Sequence, residues 1–157
     1  MTKETDNKGD IIVATNRKAL HDFHIEQTYE AGLSLEGPEV KSLRLKQARI
    51  EGSFARIENG EALLYNMHIA PYAYNHVSQL DPMRTRKLLL KTAELRRLEN
   101  NFKIKGCVLV PLEIYFRRGW AKIKLAVASG KKAPDKRESI KRRESNREIE
   151  RNFKGKF

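Results

Sequence analysis

Polar and apolar residues alternate along several short stretches of the chain, and this period of two predicts β-strands that are packed on one side only. In the clearest run, one face carries Ile25, Tyr29, Ala31, Leu33 and Leu35. The other face carries Glu26, Thr28, Glu30, Gly32 and Ser34. The run therefore predicts a half-buried strand from which the carboxylate of Glu30 points outward.

A turn and a short helix are predicted directly after this strand. The Gly-Pro pair at 37–38 ends the strand, because proline has no N–H to donate and glycine tolerates a turn. Residues 39–44 then fit one or two helical turns, with the proline near the first position and cations near the C-terminal end. We expect those cations, Lys41 and Arg44, to lie within reach of Glu30.

Two β-hairpins are predicted farther along the chain. Asn59-Gly60 joins residues 53–58 to 61–69, and this dipeptide favours a type I′ turn because both residues accept positive φ. The alternating set in the second arm is Leu63, Tyr65, Met67 and Ile69. The second hairpin pairs 107–116 with 120–128. In its last strand Ile123, Leu125 and Val127 point one way, and Trp120, Lys122 and Lys124 point the other.

Helices are predicted at two other places. Asn16 is a suitable cap for a short helix over 17–23. Residues 82–102 are predicted to form the longest helix, with a core stripe of Leu88, Leu95, Leu98 and Phe102. Leu89 lies off this stripe, beside the cations Arg84, Arg86 and Lys87. Two interpretations of Leu89 stay open: a contact for stacked nucleotides, or part of a second core stripe.

Together these elements predict a mainly β protein of the α+β class, a small antiparallel OB-like β-barrel with about three helices. The barrel domain is expected to span 11–129, after a flexible N-terminal arm at 1–10. The segment 130–157 differs, with eleven Lys or Arg, five Asp or Glu and few large apolar residues. We expect this basic tail to be disordered in the free protein and to become helical on an anionic surface.

The charge of the chain favours a polyanionic partner. The net charge of +12 and the pI near 9.9 exceed what solubility requires, and nucleic acid is the commonest such partner. The outward row of Trp120, Lys122 and Lys124 has the composition expected where a phosphate backbone is held and a base is stacked. A solvated lysine face on a merely soluble basic protein is the alternative.

The chain lacks the residue patterns of catalytic and cofactor sites. It contains no catalytic pair of carboxylates, no metal-ligand cluster and no glycine-rich phosphate loop. We therefore expect no catalysis, no metal and no cofactor. The single cysteine, Cys107, fits a reducing compartment, and the sequence has neither a signal peptide nor an apolar spanning segment. These features predict a cytoplasmic protein without membrane association.

Residues 30–44, E-A-G-L-S-L-E-G-P-E-V-K-S-L-R, closely resemble the signature of the small protein B family, the partners of transfer-messenger RNA in bacterial ribosome rescue. Stretches at 16–23, 81–90 and 130–137 resemble the same family in the same order, so the resemblance covers nearly the whole chain. It implies a β-barrel that binds the tRNA-like part of transfer-messenger RNA. It also implies delivery of that RNA, with elongation factor Tu, to the vacant A site of a stalled ribosome for trans-translation, in which the ribosome is rescued and the incomplete protein is tagged.

The resemblance also implies which residues contact which RNA. Asn16, Glu30, Leu89 and Lys122 match the transfer-messenger RNA contacts, with Arg44 in the adjoining turn. The tail is implied to become helical in the mRNA channel, beside the small-subunit RNA of the decoding centre, and to sense that no message is present. The matching tail residues are Lys131, Lys132, Asp135, Lys136 and Arg137, followed by Ile140, Lys141 and Arg143. Pro134 replaces a His or aromatic of many relatives, which leaves a stacking contact there open.

The patterns and the resemblance together predict a monomeric, non-catalytic RNA-binding factor. The full predicted set of RNA contacts on the barrel is Asn16, Glu30, Lys41, Arg44, Arg84, Arg86, Lys87, Leu89, Trp120, Lys122 and Lys124. The alternative is a structural ribosomal protein or another OB-type RNA-binding protein. An enzyme acting on RNA is a third hypothesis, for which the sequence provides no motif.

Overall fold

The computed structural model describes residues 9–75, 80–105, 107–130 and 133–154, and within these ranges it contains nine strands and four helices. The strands are β1 Ile11–Thr15, β2 Phe23–Leu33, β3 Ala48–Arg49, β4 Phe54–Glu58, β5 Glu61–Tyr65, β6 His68–Ile69, β7 Arg86–Leu89, β8 Val108–Arg117 and β9 Trp120–Gly130. The helices are α1 Arg17–Asp22, α2 Gly37–Arg44, α3 Thr92–Lys105 and α4 Ala133–Lys154.

Six of the strands close into an antiparallel ring. The hydrogen-bonded order is β8-β4-β5-β7-β2-β9, and β9 pairs again with β8. Strands β4 and β1 share one edge of β8. β4 pairs with β8 near Leu109, and β1 pairs with the other end of β8, up to Phe116. The predicted antiparallel barrel is therefore confirmed, and the structure adds that the barrel closes. Closure leaves few unpaired strand edges.

The strands of the ring bury apolar side chains on both of their faces. Inside the barrel lie fully buried residues such as Leu64, Leu109, Ile114, Ile123 and Leu125. A second, smaller cluster lies on the outer side of the β8–β9 hairpin, where α1 covers it, and comprises Ala19, Val110, Leu112, Ala126 and Ala128. Alternation along β9 therefore separates two packed clusters, and α1 is held against the barrel wall by the second one.

The elements that depend on local turn chemistry are where the sequence places them. Asn59 and Gly60 have φ values of 51° and 74°, and Arg118 and Gly119 have 51° and 80°, as tight left-handed hairpin turns require. The helix α2 begins with its proline near the first position, as predicted. A capping box precedes it, in which the backbone N–H of Glu36 donates to the Glu39 carboxylate at 3.0 Å.

The single long helix predicted over 82–102 is wrong in its first half. Residues Arg86–Leu89 form strand β7, and the helix α3 begins only at Thr92. The side chains of β7 alternate, because Arg86 and Leu88 are buried whereas Lys87 and Leu89 are exposed. An arginine in an inward position hides this period of two in the sequence, since arginine is normally counted as polar.

The predicted phase of β5 is also wrong. The fully buried side chains are those of Ala62 and Leu64, whereas Leu63 and Tyr65 are only half-buried. At Asn66 the backbone has a φ of 60°, and the strand ends there. Two residues later the chain enters the separate two-stranded sheet with β3, in which Ile69 is buried as predicted.

The C-terminal helix α4 extends from Ala133 to Lys154 and approaches the barrel domain at α1. From Arg137 to Asn152 its side chains are exposed, except for the half-buried Ser139. Both states expected for the tail, disorder in the free protein and helix on an anionic surface, stay predictions. In the described ranges, the helices are too short or too polar to cross a membrane.

Candidate RNA interface

A row of predicted contact residues crosses three adjacent strands on the outside of the barrel. Gly32 of β2 is the register partner of both Lys122 on β9 and Leu89 on β7. Leu89 is 55% exposed, which is unusual for a leucine within a sheet. A Cβ atom at Gly32 would lie only 3.3 Å from the Leu89 Cβ atom, so the glycine makes room for this side chain. We call this surface the β9–β2–β7 face.

Glu30 lies one row away on the same face and is held by two donors from β8. The Tyr115 hydroxyl donates to Glu30 Oε2 at 2.5 Å, and Arg117 Nη1 donates to the same oxygen. Asp10 accepts from the opposite side of the Arg117 guanidinium, with Nε–Oδ1 at 3.2 Å and Nη2–Oδ2 at 3.0 Å. Three residues distant in sequence thereby fix the position of the Glu30 carboxylate.

The protonation states of this cluster leave one oxygen of Glu30 able to accept a hydrogen bond. Burial and the hydrogen bond to Glu30 raise the pKa of Tyr115 above its ordinary value of 10, so the phenol stays protonated and donating. The hydrogen bond to Asp10 raises the pKa of Arg117, which therefore stays charged. One guanidinium thus faces two carboxylates, and Glu30 remains 38% exposed with no partner on Oε1 among the described residues. This oxygen can accept a hydrogen bond.

Cations and an aromatic ring surround the acceptor. Lys124 is the register partner of Glu30 and is exposed, and Lys122 is half-buried one row away. Trp120 begins β9 and is 73% exposed at the tip of the hairpin, opposite Arg117. The predicted combination of Trp120, Lys122 and Lys124 on one outward face is therefore present, together with Leu89 and Glu30.

Arg86 differs from its prediction as an RNA contact, because its side chain is fully buried. Its Nε donates to Glu39 Oε2 at 2.6 Å, its Nη1 to the Met67 carbonyl at 2.6 Å and its Nη2 to the Pro82 carbonyl at 3.1 Å. Arg84 donates to Glu39 Oε1 at 2.5 Å. These residues join α2 to β7 and therefore support the fold.

The charge state of Glu39 follows from this network. Burial by itself would raise the pKa of Glu39, but hydrogen bonds from Arg84, the Glu36 backbone and Arg86 lower it below 4.5 overall. The carboxylate is therefore ionised at neutral pH. Burial lowers the pKa of Arg86 from its ordinary value, and the hydrogen bond to Glu39 opposes this shift, so the pair remains charged.

Asn16 also differs from its prediction, since only 3% of the residue is exposed. Its Oδ1 accepts from the Ala19 backbone N–H at 3.1 Å, which caps α1, and its Nδ2 donates to the Pro111 carbonyl at 3.0 Å. The side chain thus fastens α1 to β8. A direct RNA contact is not supported by this position.

The remaining predicted cations lie elsewhere on the barrel surface. The Lys41 amine is 5.3 Å from the centroid of the Tyr72 ring, and the Arg44 guanidinium carbon is 5.3 Å from that of Phe116. Neither is paired with Glu30, whose cation is Arg117. Lys87 forms an ion pair with Glu61 at 2.9 Å, and both side chains are about half exposed.

The predicted tail residues form a separate group. Arg137, Ile140, Lys141 and Arg143 are exposed on α4. The backbones of Pro134, Asp135 and Lys136 are helical, but their side chains are not described, and Lys131 and Lys132 lie outside the described residues. No cluster of His, Cys, Asp or Glu that is suitable for a metal occurs in the part of the chain that the structure describes.

The sequence did not identify three members of the Glu30 cluster: Asp10, Tyr115 and Arg117. The predicted hairpin arms, 107–116 and 120–128, leave Arg117 in the connecting turn. Tyr115 and Glu30 are 85 residues apart, so their hydrogen bond depends on the register of β2, β9 and β8. The available local signal was the alternation of β8, which places Tyr115 and Arg117 on the same side.

Comparison with known proteins supports a single family. Residues 13–155 match the family model described as SmpB protein. The SsrA-binding protein of Elusimicrobium minutum is 49% identical over 151 residues, 96% of each chain. That of Caldicellulosiruptor saccharolyticus is 52% identical over 152 residues, also 96% of each. A solved chain, described as "tmRNA-SmpB: a journey to the center of the bacterial ribosome", is 54% identical, with a TM-score of 0.63 over 76% of this chain and 84% of that one. The protein therefore belongs to the SmpB family.

Proposed function

We propose that this protein is a non-catalytic factor that binds transfer-messenger RNA and delivers it to stalled ribosomes. The observation that carries the proposal is the β9–β2–β7 face, on which Lys122, Gly32 and Leu89 form one row beside the fixed carboxylate of Glu30. The relatives named SsrA-binding protein and the solved chain described with tmRNA support the same partner. The net charge of +12 supports a polyanion in general.

The face offers three kinds of contact to a folded RNA. Lys122 and Lys124 neutralise phosphates, and Trp120 and Leu89 lie against bases or riboses. Glu30 has a different role, since a carboxylate repels phosphate. Its Oε1 accepts a hydrogen bond from a ribose 2′-hydroxyl or from a base N–H, while Tyr115 and Arg117 hold the other oxygen. The acceptor therefore selects for RNA groups that donate.

The tail has a second role on the ribosome. Arg137, Lys141 and Arg143 are exposed on α4, where they are available to ribosomal RNA. A helix in the mRNA channel beside the decoding centre competes with message for the same space, so the tail reports that the channel is empty. Elongation factor Tu joins the complex through the RNA, and the protein acts as a monomer.

Replacement of Lys122 by Ala tests the binding face. We expect weaker binding to a tRNA-like fragment of transfer-messenger RNA, and a slope of log K against log[salt] that is smaller by about one charge. Arg96→Ala is the matched control, because Arg96 is an exposed cation on α3, away from this face. An unchanged slope for Lys122→Ala, measured by filter binding over several salt concentrations, would remove Lys122 from the interface.

Two measurements separate this function from the alternatives. A structural ribosomal protein is present on every ribosome, whereas a rescue factor is recovered with few of them, so the molar ratio to purified ribosomes discriminates the two. An enzyme acting on RNA turns over labelled RNA, and we expect no turnover after repurification. The RNA that co-purifies with the protein from cells is expected to be tRNA-like.

A further inference from the structure

A groove of about 440 Å³ opens at the end of the barrel, between β1, the C-terminal end of α2 and the tip of the β8–β9 hairpin. Its apolar part is formed by Ile11, Val13, Leu43 and Phe116. Three cationic residues, Arg44, Lys46 and Arg118, also line it. Its volume lies within the range of small-ligand sites, roughly 300–1,000 Å³.

Within the described ranges, the cations of this groove have no acidic partner. The described residues that line the groove include no Asp or Glu, and Arg44, Lys46 and Arg118 form no ion pair within the described ranges. The Arg44 guanidinium carbon lies 5.3 Å from the centroid of the Phe116 ring, so a cationic plane and an aromatic ring are adjacent. The groove therefore combines three cations with the plane of the exposed Arg44 guanidinium, which lies over the largely buried Phe116 ring.

The backbone provides a second observation. Among the described non-glycine residues only four have positive φ, namely Lys46, Asn59, Asn66 and Arg118. Asparagine adopts this conformation readily, whereas a long side chain with a Cβ is disfavoured and glycine would fit better. Both of the long side chains in this conformation, with φ values of 58° and 51°, belong to the groove. Local structure accounts for both, because Arg118 lies in the β8–β9 turn and Lys46 follows the C-cap of α2, and each conformation holds a long cation at the groove.

We propose that this groove binds one unpaired nucleotide of the bound RNA. The base lies against the Arg44–Phe116 pair and the apolar wall, and the phosphate is bound by Lys46 and Arg118. Stacking tolerates any base, because every base has a π-face. Arg118 follows Arg117, the residue that holds Glu30, so one RNA strand can pass from the β9–β2–β7 face around the hairpin tip into the groove. This inference rests on the proposed RNA-binding function.

An acidic peptide is a less suitable occupant. Such a peptide would satisfy the three cations, but it would leave the guanidinium plane of Arg44 without a flat partner. A nucleotide presents a phosphate and a planar ring system at one short separation. The combination of cations with the planar guanidinium of Arg44 therefore favours the nucleotide.

Charge removal at the two left-handed positions gives the first test. Lys46→Gly and Arg118→Gly delete the cation while preserving positive φ, so both variants are expected to unfold at the same temperature as the parent protein or higher. Each is expected to bind the tRNA-like fragment roughly 3- to 10-fold more weakly and to lose about one charge from the salt slope. Asn59→Gly is the matched control, with the same backbone exchange in a distant hairpin and unchanged binding.

The parallel Lys122→Ala variant distinguishes the two proposals. If Lys122→Ala weakens binding and both groove variants bind like the parent protein, the groove is not an RNA site and the proposed function stands. If the parent protein itself does not bind the tRNA-like fragment, the proposed function fails as well. Arg44→Lys tests stacking separately, because it keeps the charge but not the planar guanidinium. We expect an unchanged salt slope and an affinity roughly 5-fold lower; parent affinity would contradict stacking.

Backbone-amide NMR shifts with small probes identify the occupant. AMP is expected to shift the amides of Lys46, Arg118 and Gly119 at lower concentration than ribose 5-phosphate or inorganic phosphate. Equal responses to all three probes would reduce the groove to a simple anion site and overturn the proposal. An acidic peptide that displaces AMP at lower concentration would do the same. The proposal would also be overturned if AMP shifted these amides only after deletion of residues 2–8, because the N-terminus would then be the occupant of the groove.

Discussion

Arg86 shows how a single buried charge determines local structure. It is fully buried between β7 and α2, and Glu39 is the residue whose charge compensates it. Removal of one partner from a buried, hydrogen-bonded ion pair leaves the other charge uncompensated, which costs more than the pair itself contributes. The stability of the region that carries Leu89 therefore depends on Glu39, although Glu39 has no contact with the proposed RNA face.

We expect Glu39→Gln to lower the free energy of unfolding by about 3 kcal/mol. This corresponds to a decrease of roughly 6–12 °C in Tm for a chain of this size. Glu61→Gln is the control, because its pair with Lys87 is half exposed and is worth about 0.5 kcal/mol. Differential scanning calorimetry measures both, and equal Tm values for the two variants would contradict a stabilising role of the buried pair.

The pH dependence of the same pair has a definite sign. The pKa of Glu39 is lowered in the folded protein from 4.5, so its contribution to stability is complete above that value and is lost as the pH falls through the folded pKa. The difference in stability between the parent protein and Glu39→Gln is therefore expected to be constant near neutral pH and to shrink as the pH falls below 4.5. A difference that grows on acidification would have the wrong sign.

At the level of elements, local chemistry was predictable from the sequence and distant pairing was not. The Asn59-Gly60 turn and α2 depend on neighbouring residues, so their patterns could be interpreted directly. Strand β7 could not, because its inward arginine is compensated by Glu39, which lies 47 residues earlier. The Glu30 cluster was only partly predicted for the same reason, since Tyr115 and Arg117 meet Glu30 through strand register.

Helix α4 is an element whose stability must come mainly from its surroundings. Its pairs Glu138–Arg142 and Glu150–Lys154 have the favourable i, i+4 spacing, worth about 0.2–0.5 kcal/mol each. Helix nucleation is unfavourable, so such pairs do not stabilise an isolated helix of this composition. The exposed side chains of Ile140 and Ile149 show that the described part of α4 gains little from apolar burial.

A peptide comprising residues 130–157 is therefore expected to contain little helix in water and to become helical when an anionic RNA binds it. Far-UV circular dichroism measures this directly. The control is the same peptide with Lys141 and Arg143 replaced by Glu, which should remain unstructured when the RNA is added. Substantial helix in water without RNA would contradict the proposal that the tail folds on binding.

For the whole molecule, the closed ring separates the two proposed roles. The β9–β2–β7 face, the Glu30 cluster and the groove are all formed by residues that precede Gly130, whereas α4 follows β9 and has mostly exposed side chains. The barrel core is built from residues that precede Gly130. Removal of the tail should consequently leave the folded barrel and its RNA contacts in place.

A protein that ends at Gly130 is thus expected to bind the tRNA-like fragment with nearly the affinity of the full chain. Removal of the tail also removes six net positive charges. The affinities are therefore compared at a salt concentration that suppresses the long-range attraction of these charges. The same protein is expected not to support tagging of stalled nascent chains, because the residues proposed to enter the mRNA channel are gone. The full-length variant with Lys141 and Arg143 replaced by Glu is the matched control for chain length and should also fail in tagging. Normal tagging by the truncated protein would show that the tail does not sense the empty channel, and loss of RNA binding would show that the barrel does not bind RNA independently.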